Sequence, residues 1–209
     1  MKNALRLVSL SFFIFPLKCW SQNWNLKVNK DGIKIYNLKN DTSKFNELKV
    51  IADLDGTVKS IVETIIAIDK QPDWVYGTKT AHIVSRISET EFHFYKEIHS
   101  PSPLNNRDLV AHLKVHEYTE KKAVIKVSAK PNLIPEKKGL VRIAFSQETW
   151  IITSLSPIKT KIEYFLKADP GGTVPPLLVN LFATKGPFES FANLKRLTRT
   201  ANKLPSAVR

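Results

Sequence analysis

The chain has 209 residues, 43% of them apolar and 24% charged, enough for one globular domain with a sizeable core. Seven scattered glycines form neither a GxGxxG turn nor a GxxxxGKS/T loop, which excludes the usual nucleotide-binding signatures. Thirty-two Lys and Arg against nineteen Asp and Glu give +13, a balance that favours an anionic partner such as nucleic acid or an acidic membrane surface.

Residues 1–21 read as an export signal. Lys2 and Arg6 precede an apolar stretch from Leu7 to Leu17, and Cys19-Trp20-Ser21 offers a small-x-small cleavage pattern. That stretch makes only about 16 Å of helix against a hydrocarbon core of roughly 30 Å, too short for a span. Cleavage after Ser21 leaves a mature domain of residues 22–209 in the periplasm or outside the cell. It removes only Lys2, Arg6 and Lys18 from the charge, so the basic excess belongs to the folded part. It also removes Cys19, the only cysteine, and with it disulfides, thiolate catalysis and Cys-ligated zinc. Pro16-Leu17-Lys18 lacks the small residue that lipoprotein processing wants before that cysteine.

Asp31-Gly32 is a turn signal, and alternation over Ile33–Tyr36 and 45–52 predicts two strands in a hairpin. Apolar residues at 58, 61, 62, 65 and 68 predict an amphipathic helix capped by Thr57 or Asp55, closed by Asp69 to Pro72, with Trp74 just beyond. Strands follow over 80–87, 91–99, 107–118, 123–129, 140–152 and 161–168, the last ending at Asp169-Pro170-Gly171-Gly172. Hairpin succession without intervening helices argues an antiparallel sheet in an α+β architecture. From Val174 the period changes to that of a long helix through Leu197, disturbed at Gly186-Pro187. Such a helix laid across a curved sheet encloses either a solid core or an apolar cavity.

His112 and His116 form an HxxxH, but on a strand they stand about 13 Å apart, too far to share a metal. His93, Tyr95, Glu97 and His99 share one strand face and are the place to look for an acid or base. No GxSxG elbow supports a hydrolase. The terminal helix carries its aromatics at core spacing beside Lys195, Arg196, Arg199 and Lys203, which favours lipid headgroups over nucleic acid for the basic charge. Residues 131–139 form a loop with an apolar middle, Leu133-Ile134, and basic flanks, suited to touching a membrane, gating a cavity or tucking into the core.

Three stretches resemble the START family of lipid-transfer domains: Asn106-Arg107-Asp108-Leu109-Val110, Pro135-Glu136-Lys137-Lys138-Gly139-Leu140-Val141-Arg142, and Asp169-Pro170-Gly171-Gly172-Thr173-Val174-Pro175 followed by Leu178-Val179-Asn180. With Trp150 and the terminal helix, the similarity runs from about Trp24 to the end. It implies a helix-grip fold, a curved antiparallel sheet around a long C-terminal helix, with a hydrophobic tunnel holding one lipid-like ligand. The loop at 131–139 and the terminal helix would form its gate. Some sterol-binding members carry an acid and an arginine in the tunnel; Glu97 falls at the acid and Leu113 where the arginine would stand, so the same sterol contact is in doubt and Glu97 could instead be solvated, or pair with Arg142 or a histidine.

The expected ligand-binding residues are accordingly Tyr95, Glu97, Leu113, Leu133, Ile134, Arg142, Tyr164, Leu178 and Phe182. The expected membrane contacts are Lys137, Lys138, Lys195 and Arg196. The expected partners are a hydrophobic small molecule and an anionic membrane surface, for a monomer needing no cofactor or metal and binding no nucleic acid. The competing reading is a cyclase- or aromatase-like enzyme on the same fold, with Tyr95, Glu97 and His93 at its centre.

Overall fold

A computed structural model describes residues 24–39, 47–173 and 184–203 of the chain, without the side chains of the last three. The expected signal at 1–21 and the first part of the terminal helix, with Leu178 and Phe182, lie outside the described residues.

One antiparallel sheet runs in the spatial order β1-β2-β3-β10-β9-β7-β6-β5-β4. Its strands are β1 (Asn25–Lys30), β2 (Ile33–Leu38), β3 (Glu47–Asp55), β4 (Thr78–Ser88), β5 (Glu91–Ile98), β6 (Arg107–Tyr118), β7 (Lys122–Ala129), β9 (Phe145–Ser156) and β10 (Lys159–Asp169). A two-residue strand, β8 (Val141–Arg142), pairs parallel to β6 off this path.

The β1–β2 turn shows how local sequence sets register. Asp31 and Gly32 both take positive φ, 53° and 74°, as a two-residue hairpin turn requires. A side chain at Gly32 would also meet the Lys195 ammonium, 2.9 Å from where its Cβ would stand. Lys195 Nζ instead donates to the Asp31 carbonyl at 2.8 Å and ties the terminal helix to this turn.

Helix α1 (Val58–Ile66) is capped as expected, the Thr57 hydroxyl accepting from the Ser60 amide at 3.1 Å. It buries Val58, Ile61, Val62 and Ile65, each worth about 1.5–3 kcal/mol of apolar burial. A 3-10 turn, Ile68–Asp73, then delivers Trp74 to the interior, where only 2% of it is exposed. Helix α2 (Gly186–Lys203) follows directly on a π turn at Thr184 and Lys185, so the expected disturbance at Gly186-Pro187 falls where the helix changes type. It lies on β2 and β3 and buries Phe191 and Leu194. The Asn193 amide donates to the Trp74 carbonyl at 3.3 Å and the Ser190 hydroxyl accepts from the Tyr76 amide at 3.0 Å, which fastens α2 to the segment after α1. No helix among the described residues is long and apolar enough to cross a membrane.

Two expectations need correction. The single strand over 140–152 is two strands, β8 and β9, because Val141 and Arg142 pair with Arg107 and Asp108 before the chain joins β7 and β10. Strand β1 was not expected: it is an exposed edge strand with little apolar alternation to reveal it.

Candidate functional site

The inner face of the sheet and helix α2 enclose a cavity of about 250 Å³. Leu48, Phe94, Leu109, Leu113, Val127, Trp150, Tyr164 and Leu166 form much of its sheet wall, and Trp74 and Phe191 contribute from the segment after α1 and from α2. Trp150 anchors this wall. It stacks on Phe191 at 5.6 Å between centroids, meets Tyr164 at 4.4 Å, and receives Trp74 edge-on at 6.3 Å. Burial pushes the Tyr164 hydroxyl well above its ordinary range, and the neighbouring Glu148 carboxylate raises it further.

The lining also holds polar side chains, of which Asn37, Gln71, Thr78, Arg107 and Ser146 are buried. Arg107 is 2% exposed; its guanidinium donates from Nη1 to the Asn105 carbonyl at 2.8 Å and to Ser100 Oγ at 3.2 Å, and from Nε to the Pro170 carbonyl at 3.5 Å. Lys96 and Glu148 come within 4.0 Å across the cavity from β5 and β9. Asn37 Oδ1, Gln71 Oε1, Trp74 Nε1 and Thr78 Oγ1, all on lining residues, are buried without a hydrogen-bond partner among the described residues. Each such atom costs about 1–3 kcal/mol unless something else satisfies it.

Of the expected ligand-binding residues, Leu113 and Tyr164 line the cavity. Tyr95, Glu97, Leu133, Ile134 and Arg142 do not, and the reason is strand parity. Phe94, Lys96 and Ile98 of β5 face inward with Leu109 and Arg107 of β6, so Tyr95 and Glu97 face outward. Glu97 Oε1 accepts from Lys79 Nζ at 2.7 Å and from Asn106 Nδ2 at 2.9 Å, rather than from Arg142 or a histidine. These donors hold the Glu97 carboxyl below its usual range, Lys79 most strongly. Tyr95 lies under Lys137, whose ammonium sits 3.9 Å from the ring centroid, and burial raises its hydroxyl pKa.

Arg142 organises the loop at 131–139 against this outer face. It pairs with Asp108 through two bonds, Nε to Oδ1 at 2.8 Å and Nη2 to Oδ2 at 3.0 Å. Its remaining donors reach the Pro131, Ile134 and Pro135 carbonyls. Leu133 is 44% exposed at the loop's tip and Ile134 is half-buried. Lys137 and Lys138 are exposed on the same loop, whereas Lys195 and Arg196 sit on α2 near the β1–β2 turn. The catalytic constellation sought at His93, Tyr95 and Glu97 therefore lies away from the cavity. His93 stands 5.1 Å from the His112 ring, and His112 bonds Glu91 at 2.9 Å.

Sequence reasoning missed Lys96, Arg107 and Glu148 as lining residues. Their signal was parity: Phe92, Phe94, Lys96 and Ile98 alternate on one strand face, so Lys96 shares the side of two buried phenylalanines. The three stretches singled out in the sequence meet in space. Arg107 bonds Pro170, Asp108 bonds Arg142, and Gly171, at φ 71°, comes so close that a Cβ there would stand 3.0 Å from Val141 Cγ1.

A family model described as START domain matches residues 18–203. Phosphatidylcholine transfer protein of Rattus norvegicus is 28% identical over 172 residues, spanning 78% of this chain and 78% of its own. A protein of Pseudomonas aeruginosa without assigned function is 23% identical over 197 residues, 93% of this chain and 97% of its own. The solved STAR-related lipid transfer protein from Xanthomonas axonopodis has the same fold, with a TM-score of 0.77 at 24% identity over 84% of this chain and 98% of that one. Zhui aromatase/cyclase from a Streptomyces strain shares the fold more loosely, at a TM-score of 0.57 and 8% identity over 78% and 98% of the two chains. With a model match over nearly its whole length and a curved antiparallel sheet closed by a C-terminal helix, the chain belongs to the START domain family.

Proposed function

We propose that the protein binds a lipid or similar hydrophobic molecule in the internal cavity and carries it between membranes. The observation that carries this reading is the wall itself: apolar and aromatic side chains surround buried polar atoms that no described residue satisfies. Burying a few hundred Å² of acyl chain at about 25 cal/mol per Å² offsets several kcal/mol of extraction cost. A relative named for phosphatidylcholine transfer lends support.

In the same reading the exposed Leu133 touches the bilayer while Lys137, Lys138, Lys195 and Arg196 hold the protein at anionic headgroups. Residues 1–21 direct export, and the carrier works as a monomer. The enzyme reading has no comparable support, since the acid, base and phenol it required face away from the cavity.

The test is transfer of a fluorescent phospholipid from donor to acceptor vesicles by purified residues 22–209. Transfer proportional to protein concentration is expected; a rate equal to spontaneous exchange would overturn the carrier reading.

A further inference from the structure

The charges in the cavity do not balance. Two cations, Lys96 and Arg107, and one carboxylate, Glu148, belong to its lining. Lys96 and Arg107 are diagonal neighbours on adjacent strands, since Lys96 pairs with Leu109 and Arg107 with Ile98. Strand geometry puts such a pair about 7–8 Å apart on one face.

Their donors are also unspent. Among the described residues Arg107, nearly fully buried, faces no carboxylate within ion-pair distance and its Nη2 makes no hydrogen bond. Lys96 Nζ reaches only the edge of ion-pair range with Glu148, at 4.0 Å, lies 5.9 Å from the Phe94 ring centroid and donates no hydrogen bond among the described residues, although its side chain is only 12% exposed. Buried charges are ordinarily paired and hydrogen-bonded. Glu148 can answer one cation, which leaves a net positive charge and several N–H groups that need an acceptor and have none among the described residues.

We propose that this acceptor is an acidic head, so that the cavity selects an anionic amphiphile, a carboxylate or phosphate group on an apolar body, with Lys96 and Arg107 as its ligands. The proposal rests on the lipid-binding reading and refines it. It also separates this chain from the transfer proteins named for phosphatidylcholine, because a choline cation would meet the same two positive groups. An acidic phospholipid and a free fatty acid present the same chemistry here. Both offer two or more charged oxygens to a guanidinium and an ammonium.

The experiment uses short-chain lipids in free solution, so that attraction of the basic surface to a vesicle does not enter. Delipidated residues 22–209 are incubated with equimolar dihexanoyl-phosphatidylglycerol and dihexanoyl-phosphatidylcholine, and separately with octanoate, and the adducts are read by native mass spectrometry. The phosphatidylglycerol adduct is expected to exceed the phosphatidylcholine adduct by about tenfold, since both offer the same phosphate and only phosphatidylcholine adds a quaternary ammonium beside the two cations. An octanoate adduct places the shared acid in the site; its absence beside a phosphatidylglycerol adduct restricts the head to phosphate. Lys96→Met is expected to bring the ratio towards one with total occupancy retained; it takes from Glu148 the cation at 4.0 Å but breaks no hydrogen bond among the described residues, whereas Arg107→Gln breaks three, and far-ultraviolet circular dichroism checks that Lys96→Met keeps its fold. Inorganic phosphate is expected to leave the adduct in place, because an ion fills none of the apolar wall; displacement by phosphate alone would overturn the proposal in favour of a simple ion site. Equal or greater phosphatidylcholine binding would overturn it while leaving lipid binding intact. Binding of no amphiphile at all would overturn both.

Discussion

Asp108 and Arg142 form a two-bond ion pair with side chains 1% and 3% exposed, and the arginine's free donors hold three carbonyls of the loop at 131–139. The pair therefore joins β6 to β8 and shapes the loop at once. Removing one partner leaves a buried charge unanswered, at a cost of about 3–5 kcal/mol. Asp108→Asn and Arg142→Met should each lower urea stability by that amount and speed proteolysis between residues 131 and 139. Arg142→Lys should not restore it, since a point charge cannot bond two carboxylate oxygens and three carbonyls together. Wild-type stability in Arg142→Met would contradict this role.

Leu113 lines the cavity, so enlarging it competes with the ligand directly. Leu113→Trp should cut lipid occupancy sharply while the far-ultraviolet circular dichroism stays native. Overpacking costs only about 1–3 kcal/mol. Undiminished lipid capture would show that the ligand lies elsewhere.

Phe191 binds the terminal helix to the aromatic wall through Trp150 and Tyr164, at 5.6 and 5.7 Å. Phe191→Ala should cost about 3–5 kcal/mol by thermal or urea unfolding. Trp150 fluorescence should shift to the red as water reaches the indole. An unshifted spectrum would mean that Phe191 does not shield it.

Glu97 faces outward and takes no part in the cavity, so Glu97→Gln should leave lipid binding unchanged. Its carboxyl is held below the usual range when folded, so the stability it contributes is complete above the unfolded value near ~4.3 and is lost as pH falls through the lower folded value. Unfolding midpoints measured from pH 7 down to pH 3 should show a wild-type advantage over Glu97→Gln that shrinks only on the acid side. An advantage that grows as pH falls would contradict the sign.

Neutralising Lys137, Lys138, Lys195 and Arg196 together should weaken sedimentation with anionic vesicles and reduce its salt dependence. Lys137 and Lys195 have second roles, over the Tyr95 ring and at the Asp31 carbonyl, so Lys138 and Arg196 give the cleaner pair of substitutions. Unchanged vesicle binding by all four would remove them from the membrane contact.

The sequence made the architecture legible where one face of an element is buried and the other is wet. β2 alternates buried and exposed residues along Ile33–Leu38, and α1 buries 58, 61, 62 and 65, which are the positions periodicity picks out. The site was legible only in part because β5 departs from that condition. Phe94 and Tyr95 are consecutive and each 1% exposed, since the cavity wall and α2 cover one side while the loop at 131–139 covers the other. Alternation then cannot tell inside from outside, and a buried tyrosine reads as lining. Charge misled in the same place: Lys96 and Glu148 look like solvent-facing residues, yet both line an interior that the distant strands β5 and β9 close together. Arg107 stood in a recognised stretch, but its inward aim depends on the pairing of β6 with β5 and not on its neighbours in sequence.

The most direct measurement is native mass spectrometry of residues 22–209 purified from the cells that made them, with solvent extraction and identification of whatever is bound. The account predicts one hydrophobic molecule per chain, released on denaturation and lost in Leu113→Trp. A mass equal to the bare polypeptide, unchanged after incubation with total membrane lipid, would contradict it.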